Sequence, residues 1–278
     1  MNRRNALKIS AGALAAGGLG VVVLTTAFKP DKAQSASPQY IKLTNGETDW
    51  KYISLNPDNT AELAYRIYPE GSCMYGVFSS IISQLAERFG EPFASFPTHM
   101  MKYGHGGVGG TGTICGALNG AAAVMGLFID DKKTRDILTT ELFRWHESAA
   151  LPAYEPDEPA MDFNPPGSAS NSVLCHASTT RWVKTSGYKI DSKERKERCR
   201  RLTADVAART VEILNAAFEN GHTTGYHNEE TVDGCMVCHG SEGKLINTSA
   251  KMNCTSCHTE SLPHKIFADS HYKIMKKQ

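Results

Sequence analysis

The stretch SKERKERCRRLTADVAARTVEILNAAFENG, residues 192–221, has the clearest folding pattern in the chain. Ser192 is a common N-cap residue, and Gly221 is the residue type that most often ends a helix. The apolar positions between them recur with a period of about 3.6 residues: Leu202, Val206, Val211, Ile213, Leu214 and Phe218. The pattern predicts a long amphipathic helix over residues 193–219, whose apolar face must pack on other elements.

Three upstream segments have similar helical patterns. Residues 72–89 begin at the candidate N-cap Ser72 and end before Gly90, and residues 113–128 are crowded with Gly and Ala. Residues 131–148 are amphipathic. We therefore predict a mainly α fold, in which a helical cysteine-containing domain spans residues 37–220.

The remaining segments of this domain have weaker patterns. Residues 172–185 predict a short helix, and residues 50–68 predict one or two short strands. Residues 151–170 hold five of the twelve prolines and predict a loop. Glycine is concentrated in residues 104–112, which also predict a loop.

Two copies of the pattern C-x-x-C-H lie near the C-terminus, CMVCH at 235–239 and CTSCH at 254–258. This spacing is the attachment signature of c-type haem. Two thiols bond to one haem, and the adjacent imidazole becomes the proximal iron ligand. The sequence predicts two haems per chain in a small, irregular module over residues 221–278. Cys235, Cys238, Cys254 and Cys257 would form the thioethers, and His239 and His258 would bind the irons.

The same four cysteines also have the spacing of a structural zinc site, C-x2-C-x15-C-x2-C. A pair of disulfides is a further alternative. A four-cysteine zinc site needs no histidine, whereas a histidine follows both pairs here. These histidines, together with the export signal described next, favour haem.

Residues 1–36 have the pattern of a twin-arginine signal peptide. The pair Arg3-Arg4 precedes an apolar run over residues 9–28, which Gly17, Gly18 and Gly20 make only mildly hydrophobic. We predict export to the periplasm, cleavage near residue 36, and no stable membrane span afterwards; an uncleaved anchor is the alternative. This route exports folded proteins, whereas c-type haem is attached after export. The signal therefore indicates a second, non-haem centre.

Charge excludes one class of function. The whole chain has a formal net charge of +1. The first 36 residues carry five of the 30 basic residues and one of the 29 acidic residues, so the remainder has a net charge of −3. A nucleic-acid-binding domain would be strongly basic, and we therefore expect no nucleic-acid partner.

Four cysteines remain outside the haem motifs: Cys73, Cys115, Cys175 and Cys199. Each lies on or beside a predicted helix. They could be buried small residues or two disulfides. We favour an iron–sulfur cluster, because thiolates are its usual ligands and the small residues around Cys115 would let other helices approach closely.

Cys73, the segment ICGALNG at 114–120, Cys175 and Cys199 resemble, in this order, the C-GCAxxG-C-C family of redox proteins. Joined to the two C-x-x-C-H motifs, this domain resembles the split-Soret cytochromes c over about residues 70–278. The resemblance implies a homodimer with two bis-histidine haems per chain, and an iron–sulfur centre held by some of the four cysteines.

Two haems in an electron carrier need two distal ligands. His227 precedes the first motif and His264 follows the second, so we favour this pair over the other histidines and Met252. The function we expect is electron transfer with redox partner proteins. The alternatives are a reductase of a small nitrogen or sulfur oxyanion, and a subunit of a larger redox complex. The sequence does not decide whether the protein is an enzyme.

Overall fold

The computed structural model describes residues 50–221 and 230–258, and its regular structure is almost entirely helical. The signal-peptide prediction and the candidate distal ligands His227 and His264 lie outside these residues. The elements are α1 (Pro57–Phe89), α2 (Gly116–Phe128), α3 (Lys132–Ser148), β1 (Ala150–Leu151), β2 (Ser168–Ala169), α4 (Cys175–Ser186), α5 (Lys193–Asn220) and α6 (Glu230–His239). Short 3₁₀ helices span Thr98–Gly104, Val108–Gly110 and Cys254–Ser256. The mainly α prediction is confirmed.

The long C-terminal helix of the helical domain, α5, forms as its sequence predicts. The Ser192 side chain accepts a hydrogen bond from the Arg195 amide, and Gly221 adopts a left-handed conformation with φ 61°. Leu202, Val206 and Leu214 are buried on the face that packs along α1. The apolar stripe therefore supplies one side of the core.

Helix α1 begins earlier than predicted, and the expected strands over residues 50–68 are not found. Asn56 caps the helix by accepting a hydrogen bond from the Asn59 amide, and Pro57 occupies the first helical position, where its missing N–H is tolerated. Ser72, predicted as the N-cap, lies instead at a kink with φ 68°, three residues after Pro69. Because proline disrupts a helix interior, it accounts for this break.

Helix α2 lies against α1 at close range, which explains its small residues. A Cβ on Gly120 would lie 2.6 Å from the Met74 carbonyl oxygen. A Cβ on Gly116 would overlap the Gly104 carbonyl oxygen and lie 3.1 Å from the Cβ of Cys73. Glycine at these positions lets α2 approach the part of α1 that carries Cys73.

The helical predictions for α2, α3 and α4 are correct to within three residues at each end. Helix α3 begins after the N-cap Asp131, and its Leu138 and Leu142 are fully buried in the core. Residues 151–170 are mostly irregular, as predicted, apart from β2, which pairs antiparallel with β1. Within the described residues, no helix is long and apolar enough to cross a membrane.

Candidate haem and iron sites

Cys115 and Cys175 lie diagonally across one antiparallel bridge, because two short segments of the chain pair just before α2 and α4. Ile114 and Leu174 form an antiparallel bridge. The Cys115 amide donates to the Val173 carbonyl at 2.8 Å, and the Cys175 amide donates to the Thr113 carbonyl at 2.7 Å. Each cysteine thus stands at the start of a helix, where the helix dipole stabilises negative charge.

Cys73 and Cys199 come from the two longest helices and meet in the core. Cys73 follows the kink of α1, and Cys199 lies in the second turn of α5. Both side chains are buried, and each thiol shifts the pKa of the other. Two residues 126 positions apart in sequence therefore become neighbours through the packing of α1 on α5.

Electrostatics within this group favour one thiolate. Contact with Cys73, together with the positive charges of Arg198 and Arg195, holds the pKa of Cys199 well below its usual value despite burial. One guanidinium nitrogen of each arginine lies 3.9 Å from the Cys199 sulfur. The same contact with Cys199, together with burial, raises the pKa of Cys73.

The other two thiols also interact with Cys199. Burial raises the pKa of Cys115, although the amides of Leu118 and Ala117 at the start of α2 oppose this. Burial, followed by the charges of Cys115 and Cys199, raises the pKa of Cys175 to about 12. Each of the four thiols affects the pKa of at least one other, and we call the four together the cysteine site.

The residues of the cysteine site fit an anionic iron centre. The site offers four thiols, a nearby arginine pair and two helix N-termini, all of which suit a negatively charged sulfur cluster. None of the eight cysteines forms a disulfide. Within residues 50–221 and 230–258, no three His, Cys, Asp or Glu side chains form a ready-made metal site. Ligation would therefore need the sulfurs to move closer together.

The first haem motif lies at the end of α6. Cys235, Cys238 and His239 occupy positions i, i+3 and i+4 of the helix, so they share one face. The His239 Nδ1 atom pairs with the Asn247 side-chain oxygen at 2.8 Å. This contact favours the tautomer that presents Nε2 to an iron, an orientation typical of haem and metal histidines.

The second motif forms a similar turn. Its 3₁₀ helix spans Cys254–Ser256, and the amides of Cys257 and His258 both donate to the Cys254 carbonyl. The Asn253 side chain accepts hydrogen bonds from the Thr255 amide and hydroxyl. Helix α6 contacts this 3₁₀ turn, and burial followed by the charge of Cys235 in the first motif raises the pKa of Cys254. The two attachment sites are therefore adjacent, which fits two closely spaced haems.

An apolar cavity lies beside the second motif. It has a volume of about 450 Å³ and is bordered on one side by α3, including Phe143 and Thr139, and on the other by residues 249–252. Val173 and Met252 add to its apolar wall. This surface suits a porphyrin edge, and with the two cysteine–histidine turns it shows that the residues present fit c-type haem.

Comparison with known proteins first defines a class. Residues 75–213 match the family model described as "Putative redox-active protein (C_GCAxxG_C_C)". The matched range includes Cys115, Cys175 and Cys199, and Cys73 lies two residues before it.

Two further comparisons refine this class. The split-Soret cytochrome c of Desulfovibrio desulfuricans is 38% identical in an alignment of 259 residues that covers 89% of this chain and 91% of that protein. A solved structure of split-Soret cytochrome c from that species, reported with a novel iron centre, has a TM-score of 0.74 and 37% identity. The alignment covers 76% of this chain and 91% of that one. The chain therefore belongs to the C_GCAxxG_C_C redox family and, within it, to the split-Soret cytochromes c.

Several residues of these sites were not found from the sequence. Arg195 and Arg198 had one available signal, the basic run KERKERCRR that surrounds Cys199. Asn247 follows His239 by eight residues, and nothing in the sequence marks it as the histidine's partner. Tyr68, whose pKa is raised by burial and by the charge of Cys73, ends the segment for which short strands were predicted, and no sequence signal marks it.

Proposed function

We propose that this chain is an extracytoplasmic electron-transfer protein with two covalent c-type haems and an iron–sulfur centre. The observation that best supports the haems is the pair of C-x-x-C-H turns, each with two thiols and a histidine. Bound haem supplies a one-electron couple. The residues of the chain attach it through Cys235, Cys238, Cys254 and Cys257 and bind the irons through His239 and His258. His227 and His264 are the proposed distal ligands.

Mass spectrometry of the denatured mature protein tests the haem proposal. Two haem additions per chain are expected, because thioether bonds survive denaturation. A mass without them, or one equivalent of zinc, would contradict the proposal. The visible spectrum should show low-spin haem if both irons are bis-histidine. His227→Ala and His264→Ala should each convert one haem from the low-spin to the high-spin state.

For the iron–sulfur centre, the proposed ligands are at least three of Cys73, Cys115, Cys175 and Cys199. Arg195 and Arg198 would offset the negative charge of the sulfurs, and the surrounding helices would exclude water. The iron centre reported for the Desulfovibrio relative supports this reading. Protein purified without oxygen should contain acid-labile sulfide and more iron than haem. Cys115→Ser should lose the sulfide and the extra iron and keep two haems. An iron content equal to the haem content in the wild type would count against the centre.

Export and assembly complete the proposal. The twin-arginine leader at residues 1–36 would carry the folded, cluster-loaded protein to the periplasm, where redox partner proteins exchange electrons with it. A homodimer would bring haems of two chains together and split the Soret band through exciton coupling. A monomer by light scattering with a single symmetric Soret band would refute the dimer.

A second candidate function is reduction of a small nitrogen or sulfur oxyanion, and one cavity favours it. The cavity has a volume of about 380 Å³. It is lined by the basic side chains of Lys193, Lys196 and Arg200, and Tyr68 forms part of its wall. The carboxylate of Glu197, also in the wall, is neutralised by Arg201 at 2.9 Å. The pocket is therefore cationic, and Tyr68 in its wall interacts electrostatically with Cys73.

An anaerobic assay distinguishes this candidate from a pure electron carrier. Reduced viologen dye would supply the electrons, and nitrite or sulfite would be the acceptor. Dye oxidation that depends on the acceptor and falls at least tenfold in Lys193→Gln/Lys196→Gln would support the reductase. The matched control is Lys184→Gln/Lys189→Gln, which changes two lysines outside the cavity. No acceptor-dependent oxidation would leave electron transfer as the function.

A further inference from the structure

The last turn of α3 holds the segment that leads into the second haem motif. Arg144 and Glu147 form an ion pair of 2.8 Å, with side chains only 1% and 2% exposed. Arg144 also donates a hydrogen bond to the Lys251 carbonyl oxygen. Glu147 accepts a hydrogen bond from the Asn253 amide at 3.2 Å. Both charged partners therefore bind the backbone just before Cys254.

The same turn of α3 also binds the loop that leads to the cysteine site. The Asn171 amide donates to the Glu147 carbonyl at 2.8 Å, and the buried Ser170 hydroxyl donates to the His146 carbonyl at 3.0 Å. Four residues after Asn171 comes Cys175, and the intervening Val173 carbonyl binds the Cys115 amide. The loop is thus continuous with one half of the cysteine site.

The second motif touches this loop directly. The Ser256 hydroxyl, between Cys254 and Cys257, donates to the Asn171 carbonyl. Asn171 therefore bonds α3 through its amide and the haem motif through its carbonyl, in a left-handed conformation with φ 47°. The chain of contacts runs from Cys254 through Asn253 and Glu147 to Asn171, and along the backbone to Cys175.

A buried ion pair is a costly way to join two segments. Its charges must be removed from water, and a well-packed apolar pair of similar size often stabilises a protein as well or better. Its hydrogen bonds are directional, however, and charged groups that bind backbone atoms fix the register of the segment to which they bind. The position of this pair between two redox sites suggests that register is its role.

We propose that Glu147 and Arg144 are positioning residues that fix the second haem motif, Cys254–His258, against the cysteine site. The inference rests on the proposed function, since it concerns a haem attached at Cys254 and Cys257. The haem of the second motif is then the one whose orientation and reduction potential depend on the α3 turn.

Two variants test this role against a matched control. Glu147→Gln removes the ion pair. Arg144→Met/Glu147→Met replaces it with apolar side chains of similar length, which keep the core filled. This double variant also removes the hydrogen bonds to the Lys251 carbonyl and the Asn253 amide. Glu141→Gln is the control, because Glu141 is a buried carboxylate on the same helix that pairs with Arg209 at 3.1 Å on α5.

Hydrogen exchange of the holoprotein should then become at least tenfold faster at residues 249–258 in the double Met variant, and one of the two haem potentials should shift. Glu147→Gln should give the same changes to a smaller extent, and Glu141→Gln should give neither. Exchange and potentials unchanged in the double variant, or equally changed in Glu141→Gln, would overturn the proposal. Haem attachment, on which this inference rests, is checked separately by mass: fewer than two haems in the wild type would contradict the proposed function and not the role of Glu147 and Arg144.

Discussion

The helical domain and the haem segment, residues 230–258, are stabilised in different ways. In the first, apolar side chains such as Leu118, Leu142 and Val206 are completely buried. In the second, Val237 is 72% exposed and Ile246 is 68% exposed. The haem segment therefore has little core of its own, and polar contacts with α3 hold its backbone. The difference teaches that the helical domain is held by a core of its own side chains, whereas the haem segment depends on contacts with α3.

The largest expected effect comes from removing the proposed haems. With Cys235, Cys238, Cys254 and Cys257 all changed to Ala, no thioether can form. We expect residues 230–258 to lose most of their amide protection while residues 57–220 keep theirs, as measured by hydrogen exchange with mass spectrometry. Equal loss of protection in both regions would show that the helical domain also depends on haem.

A core substitution makes the opposite test. Leu118→Ala removes a completely buried side chain from α2, and such changes cost about 2–5 kcal/mol of unfolding free energy. Val237→Ala removes an exposed side chain of the haem segment and should change it by less than about 0.5 kcal/mol. Urea unfolding followed by far-ultraviolet circular dichroism measures both. Similar values for the two variants would contradict the contrast in burial.

The features of the two regions that could be predicted are those that depend on short, local sequence patterns. Helix α5 has its cap, stop and apolar stripe within thirty residues, so its prediction succeeded. The error over residues 50–68 arose because the helical start at Asn56-Pro57 was not recognised. In the sites, the spacing of the cysteines and histidines predicts their ligand roles, and these roles stay predictions. Packing between remote segments brings Cys73 near Cys199 and lets Glu147 accept a hydrogen bond from the Asn253 amide. No local sequence pattern indicates such packing.

Acid should destabilise the helical domain through a buried histidine. Burial, with a smaller contribution from Arg198, lowers the pKa of His146 to about 3. Between about pH 6.5 and pH 3 the unfolded chain binds a proton that the folded chain does not, so stability is lost as the pH falls. The slope from this group is at most roughly 1.4 kcal/mol per pH unit.

Comparison with a variant isolates the contribution of His146. His146→Gln should show a shallower loss of unfolding free energy over this range, whereas His99→Gln, a change at an exposed histidine, should keep the wild-type slope. Burial raises the pKa of Asp205 to about 6, which acts in the opposite direction between about pH 3.8 and pH 6. Because Asp205 is present in all three proteins, its effect cancels in the difference. Identical slopes for the wild type and His146→Gln would contradict the assignment.

The smallest effect distinguishes the two regions by the caps of their helices. Asp131 caps α3 by accepting a hydrogen bond from the Thr134 amide at 2.7 Å, and Asn253 caps the 3₁₀ turn of the second motif by accepting one from the Thr255 amide at 2.9 Å. Asp131→Ala should lower the unfolding free energy by about 1 kcal/mol, a typical cost of losing a cap.

Asn253→Ala removes a cap of similar geometry, yet its cost should not appear in the unfolding of the helical domain. The turn it caps is held in place by Glu147, which binds the Asn253 backbone amide rather than its side chain, so that contact survives the substitution. We expect the unfolding free energy to change by less than about 0.5 kcal/mol and exchange to quicken only at the amides of Thr255 to Cys257. If Asn253→Ala instead lowers stability as much as Asp131→Ala does, the two regions unfold as one cooperative unit, and the α3 contacts couple them more strongly than the exposure of the haem segment suggests.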